Sequence, residues 1–304
     1  MQTYLECVPC FVRQALGAGV MVTDDPAVHE RLLRETLRLV AEMPFDRPPP
    51  WMGQRIHRLL RKLTGNPDPY RQAKIRSNAL ALELYPTLRR QVYAGCDPFA
   101  ASVRIAIAGN VIDFAQGNGP DDIKLRRVLE EAITASHTGS AALAIDELRQ
   151  AIKQADSILF LADNAGELVL DRLLLEQMPR DRVTVAVRGS PVINDATLRD
   201  AEVADLMSLV NVMDNGSDAP GTILQSCSVA FKERFARSDL VIAKGQGNYE
   251  TLNEENARIV FLLRAKCPVI ARDIGCAVDE PVICQNHREQ NQTRASSFPS
   301  ELET

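Results

Sequence analysis

Five stretches decide how this chain folds: SILFLAD (157–163), RVTVAVRG (182–189), LVNVMD (209–214), LVIAKG (240–245) and CPVIARDIG (267–275). Each is a short apolar or β-branched run closed by a polar or glycine-containing turn, and helix-like segments separate most of them. Unbroken apolar runs suit strands buried on both faces, and strand–helix alternation predicts a mostly parallel sheet covered by helices. The expected class is α/β, a Rossmann-like three-layer αβα domain over residues 151–285. Residues 1–150 read instead as a helical domain. HERLLRETLRLVAEM (29–43) and QRIHRLLRKLTG (54–65) space their apolar residues three and four apart. Breaks fall at Pro44, at Pro48–Pro50 and between Gly65 and Pro69. Residues 70–95 read as another helix, 99–114 as an alanine-rich helix with a strand as the alternative, and 121–153 as further amphipathic helix. Residues 286–304 are polar enough to predict a disordered tail.

Composition narrows the function classes. At 304 residues the chain is long enough for a sizeable core and two subdomains. Its 45% hydrophobic and 25% charged residues are ordinary for a globular protein. A net charge of −5 argues against a nucleic-acid partner, whose mark is a basic excess, but leaves room for a small anionic one held in a locally positive pocket. No apolar run reaches the roughly 18 residues of a membrane helix. The opening MQTYLECVPC lacks the basic-then-apolar pattern of a secretory signal. Seven cysteines, an odd number, do not make a disulfide framework. These features predict a reduced, cytoplasmic protein with neither a membrane nor a nucleic-acid partner; they leave its oligomeric state open.

The functional signal lies in the residues just after the strands, because open parallel sheets bind ligands at the carboxyl ends of their strands. SILFLAD runs into Asn164, Ala165, Gly166 and Glu167; RVTVAVRG into Ser190, Pro191, Asn194 and Asp195; LVNVMD into Asn215, Gly216 and Ser217; LVIAKG into Gln246, Gly247, Asn248 and Tyr249. Asp163, Asn164 and Asp195 offer hard oxygen ligands suited to Mg²⁺, Mn²⁺ or a similar divalent ion. Read singly, each is as well explained as a helix cap or turn residue. Lys244, beside Gly245 and Gly247, reads as a phosphate or oxyanion clamp. Arg188 reads as a second clamp or a solvated surface residue. An oxygen-ligated cation with basic groups nearby is the equipment of phosphoryl transfer.

The segments LADNAGE (161–167), VRGSPVINDAT (187–197), AKGQGNYETL (243–252) and RAKCPVIA (264–271) resemble the metal-dependent damage-control phosphatases, the family long called domain of unknown function eighty-nine. ECVPCFVRQAL (6–16) and IAGNVIDF (107–114) are similar to its compact prokaryotic and archaeal branch. The resemblance implies a helical domain on a Rossmann-like one, a divalent cation (Mn²⁺, Mg²⁺, Co²⁺ or Ni²⁺) at the strand ends, and hydrolysis of small phosphorylated metabolites such as sugar phosphates. It places the metal on Asp163, Asn164 and Asp195. It places substrate and phosphate on the loop with Lys244, Gly245, Asn248 and Tyr249, and a later contact on either Arg264 or Lys266. By similarity Glu167 lies beside the metal; from that place we infer a role as base or water-positioner. Asn110 and Asp113, three apart on a helix, share a face and would close over cation or substrate; an internal cap or interface bond is the plainer alternative.

Other residues support competing readings. Cys7 and Cys10 form a CxxC spaced for a metal knuckle or redox pair, but no second CxxC completes a zinc site, and buried cysteines are the simpler account. Four scattered histidines make no HExxH. A non-catalytic nucleotide or cofactor-binding module lacks GxGxxG. An aspartyl-phosphate mechanism would want a DxD pair that LADNAGE does not supply.

Overall fold

Prolines and short polar side chains start the helices. Pro49 and Pro50 do not separate two helices; they lie in the first turn of one, where a missing N–H is tolerated. The first helices are α1 (Cys7–Val22), α2 (Pro26–Glu42) and α3 (Pro49–Thr64). They are followed by α4 (Arg71–Ala94), α5 (Pro98–Ala108), α6 (Asp122–Thr134) and α7 (Ser140–Gln154). Asp25 and Asp97 cap α2 and α5 by accepting from Ala27 N and Ala100 N. The choice between helix and strand at 99–114 resolves to helix as far as Ala108, followed by a 3₁₀ turn at Gly109–Val111. The computed structural model describes residues 1–111, 122–135 and 139–286.

From residue 158 strands and helices alternate: β1 (Ile158–Leu161), α8 (Glu167–Leu175), β2 (Val183–Val187), α9 (Leu198–Val203), β3 (Asn211–Asp214), α10 (Val229–Ala236), β4 (Leu240–Lys244), α11 (Gly245–Leu252), β5 (Ile259–Arg264), α12 (Pro268–Ile274) and β6 (Pro281–Gln285). The sheet order is β3-β2-β1-β4-β5-β6, with β1 to β5 parallel and β6 antiparallel at the edge. The expected α/β class, with a mostly parallel sheet, is what the structure has. Strand order reverses between β1 and β4, the switch point at which such sheets open a crevice for ligands.

One expected strand is a helix. CPVIARDIG forms α12, with Pro268 in its first turn and Gly275 at its end. A proline cannot donate to a central ladder, so the run is apolar because it packs as a helix face. The fifth strand is the preceding IVFLLR, and neither it nor β6 is among the strands expected from the sequence.

Alternate strand residues bury on opposite faces. Ile158, Phe160, Val185, Leu240 and Ile242 share one cluster with residues of α4 to α8. Leu159, Leu161, Val241, Ala243 and Phe261 meet Phe231, Tyr249 and Ile270 from α10 to α12 on the other. A third cluster, including Phe11, Leu32, Met52 and Ile56, joins α1 to α3 and takes in Val192 and Ile193 from the loop after β2. Thus α1 to α3 lie against the strand-end loops. Asp218, after β3, fastens them there by accepting from Gln54, Arg58 and Arg61. Against the burial that would raise it, the hydrogen bonds from Arg58, Gln54 and Arg61 hold this carboxyl at about 2. Of the expected tail, Asn286 is buried and donates to Glu255 O and Ala257 O; residues 287–304 lie outside the described residues. No helix among the described residues is long and apolar enough to cross a membrane.

The loops after β2 and β3 cross so closely that a Cβ on Gly189 would come 2.5 Å from the Gly216 backbone. Gly189→Ala should therefore lower the unfolding free energy by about 2 kcal/mol or more in urea titrations. Gly17→Ala, at an exposed position of α1 with nothing within 4 Å, should raise it by about 0.5–1 kcal/mol. Equal effects would contradict this packing.

Candidate active site

The loops after β1 and β2 are zipped together by their backbones. Ala196 N donates to Asp163 O, Ala165 N to Asn194 O, and Asn164 and Asp195 form an isolated antiparallel bridge. This pairing, rather than any side-chain attraction, sets Asp163 and Asn164 beside Asp195. From the far side of the switch point α11 begins almost on top of Asp163. Gly245 has φ +78°, and a Cβ there would fall 1.8 Å from Asp163 Oδ2, so only glycine fits.

Asp163, Asn164, Glu167 and Asp195 are all buried. Asn110 Nδ2 and Asn164 Nδ2 each donate, at 2.9 Å, to both Asp163 Oδ2 and Glu167 Oε2. Arg188 Nε donates to Asp195 Oδ2 at 2.6 Å, and its Nη2 stands 3.9 Å from Asp163 Oδ1. Burial first, then Glu167 and Asp195, push the Asp163 carboxyl well above its usual range, with Lys266 and Arg188 opposing.

Lys244 differs from its reading as a phosphate clamp. It shares strand parity with Leu240 and Ile242 and so points between α5 and α8. Fully buried, its Nζ donates to Glu167 Oε1 and Asp171 Oδ1, both at 2.6 Å, and to Ala106 O at 2.8 Å. Against the burial that would lower it, Asp171 and Glu167 raise its pKa and keep it charged. Asp171 is pushed up to about 7 by burial, with Lys244 opposing.

A cavity of about 170 Å³ opens over the carboxylates, lined by Gln14, Asp163, Asn164, Ile193, Asn194, Asp195, Pro220, Gln246, Gly247 and Lys266. Four expected site residues thus meet there: Asp163, Asn164, Asp195 and Lys266. Of the two candidates for the later contact, Lys266 lines this cavity, and Arg264 faces a different one with Arg104 and Ile107. Arg188 is neither a surface residue nor on the cavity wall; it braces Asp195 from beneath. Asn248 does not reach the cavity either. Its Oδ1 accepts from Arg188 and Thr222, and its Nδ2 donates to Lys244 O and Ala162 O. Tyr249 turns into the core, its hydroxyl donating to Asp273 Oδ2 and its ring edge-on to Phe261. Asn215 closes a turn by accepting from Gly189 N and Ser217 N. Asp113 lies outside the described residues.

Asp171, Asn78 and Gln14 join the site without having stood out in the sequence. Asp171 stands four residues after Glu167 within apolar ELVLDRLLL, and that spacing was the available signal. Asn78 accepts from Gly166 N and donates to Asp200 Oδ1, tying α4 to the site loop. Nothing local in α4 marks it.

The donors suit a hard divalent ion. Among the described residues, the cations set against Asp163, Glu167, Asp171 and Asp195 are Lys244, Arg188 and Lys266, and Asn110 Oδ1 is buried without a partner. Among those same residues no three His, Cys, Asp or Glu side chains stand in ion-holding geometry by themselves. One or two carboxylates with carboxamide oxygens, leaving positions for water and phosphate, are how Mg²⁺-like ions are held. Cys7 and Cys10 likewise have no completing ligands among the described residues, and all seven cysteines are free.

Known proteins share this architecture. The damage-control phosphatase ARMT1-like domain model matches residues 3–282. The uncharacterized protein MJ0202 of Methanocaldococcus jannaschii is 36% identical over 292 residues, covering 91% of this chain and 93% of that protein. The damage-control phosphatase PH1575 of Pyrococcus horikoshii is 34% identical, covering 90% and 94%. A damage-control phosphatase of Archaeoglobus fulgidus is 33% identical, covering 91% and 96%. The crystal structure of PH1575, described as a DUF89 family protein, superposes with a TM-score of 0.84 at 32% identity, over 94% of this chain and 99% of that one.

Lys244→Met would leave Glu167 and Asp171 buried with no counter-charge, at a cost of about 3–5 kcal/mol. Asp171 already sits at about 7, and removing Lys244, which opposes that rise, lifts it further. With the folded-state pKa about 7 in the wild type and higher in the variant, the deficit is smallest in acid and grows as pH rises above about 7. Urea titrations at several pH values check this; a variant that regains stability as pH rises would contradict it.

Proposed function

This chain belongs to the damage-control phosphatase ARMT1-like family, and we propose that it hydrolyses small phosphate monoesters, such as sugar phosphates or damaged phosphometabolites, with a divalent metal ion and water. The phosphatase role rests on kinship with two relatives of that name. The observation that carries the finer reading is the meeting of Asp163, Asn164 and Asp195 at the switch point, with Lys266 on the same cavity wall.

In this reading Asp163, Asn164 and Asp195 hold the ion, and their oxygen donors suit Mn²⁺, Mg²⁺, Co²⁺ or Ni²⁺. Bound there, it polarises the phosphoryl oxygens and lowers the pKa of a water. Lys266 balances the charge on the transferring group, the role expected of Lys244 from its place at a strand end. Lys244 acts instead through Glu167, fixing one of its oxygens while Asn110 and Asn164 hold the other. Glu167, so oriented, positions the attacking water or takes its proton. Arg188 keeps Asp195 turned towards Asp163, and Asn248 keeps Arg188 in place. Water oxygen forms the new P–O bond, the ester P–O bond breaks, and the leaving alkoxide takes a proton. No covalent aspartyl-phosphate is required.

A phosphate-release screen over sugar phosphates, nucleotides and cofactor phosphates, run with each of the four metals, tests this. Activity should vanish on chelation, return with metal, and fall about 10³-fold or more in Asp163→Asn with the circular dichroism spectrum unchanged. Full turnover after exhaustive chelation, or in that variant, would remove the reading.

A further inference from the structure

We propose that Gln14 recognises a hydroxyl on the alcohol portion of the phosphoester, which makes α1 a specificity element; this rests on the phosphatase reading above. Among the described residues, Gln14 is the one from the helices before β1 that lines the cavity. Its carboxamide is half-buried and, among the described residues, makes no hydrogen bond.

The other amides on the wall are engaged. Gln246 Oε1 accepts from Lys266 N, and its Nε2 donates to Glu250 Oε1 at 2.9 Å. Asn164 Nδ2 is held by Asp163 and Glu167. Gln14 therefore offers an uncommitted donor and acceptor together, beside a carboxylate cluster that repels a second anion and a Lys266 that repels a cation. A neutral hydroxyl, which both gives and accepts, matches it.

Its carboxamide lies beside α3. Gly53 on α3 packs so that a Cβ there would lie 3.9 Å from Gln14 Oε1 and 3.0 Å from Pro220 Cγ. Pro220 itself lines the cavity, and Asp218, two residues earlier, is bound by Gln54, Arg58 and Arg61 of α3. The same clamp thus sets the distance between Gln14 and the strand-end loops. A cavity of about 170 Å³ is small beside sites for drug-sized ligands, so the ester is short and one hydroxyl contact weighs heavily.

The test compares glycerol phosphate with propyl phosphate, its analogue without hydroxyls. The wild type should favour glycerol phosphate in kcat/KM by about 10-fold or more. Gln14→Leu should collapse that preference towards unity, with the KM for glycerol phosphate rising more than its kcat falls. Gln14→Asn, which keeps the carboxamide, should retain part of it. Equal losses on both esters, an unchanged preference in Gln14→Leu, or a wild type indifferent to the hydroxyls would each overturn the assignment. A wild type that releases phosphate from no ester with any of the four metals would instead remove the phosphatase reading beneath it.

Discussion

Negative charge crowded at one strand end is the constraint around which this fold is arranged. Asp163, Glu167 and Asp195 are held together by backbone pairing between two loops, in a place where water barely reaches. Burying carboxylates side by side is unfavourable unless positive charge and N–H donors face them. Each surrounding element supplies one such group. Strand β4 carries Lys244 into the layer between α5 and α8, the end of β2 carries Arg188, the turn after α5 carries Asn110, and the loop after β5 carries Lys266. With Asp171 behind them, the four carboxylates outnumber these three cations among the described residues.

The helices before the sheet divide between two tasks. α4 to α7 cover one sheet face and reach the site through Asn78, Ala106 and Asn110. α1 to α3 instead stand over the strand ends and are fastened by Asp218 to the loop after β3. The first group fixes the charges, and the second shapes the space in front of them.

How much of this is legible in the residues alone depends on whether position or direction is at issue. Strands β1, β2 and β4 announce themselves as unbroken apolar runs, and Asp163, Asn164 and Asp195 stand out by closing them or by lying in the loops beyond. β5 is masked by the next apolar run, CPVIA, although the proline there marks a helix start. Lys244 does lie at a strand end, but its side chain points away from the expected phosphate. Its parity with Leu240 and Ile242 sends it to the α5 and α8 side, and the same parity turns Arg264 with Val260 and Leu262 away from the cavity. Asn248 and Tyr249 lie in the interior because helix direction in α11 turns them inward, which loop spacing does not reveal. Gln14 lies in a segment whose evident signal is its pair of cysteines.

One divalent ion held between Asp163, Asn164 and Asp195 is the central claim. Anomalous scattering from crystals soaked in Mn²⁺ measures this directly. A single peak within about 2.0–2.6 Å of oxygens from those three residues is the predicted result. No peak there in crystals of hydrolytically active protein, or a peak only at Cys7 and Cys10, would contradict it.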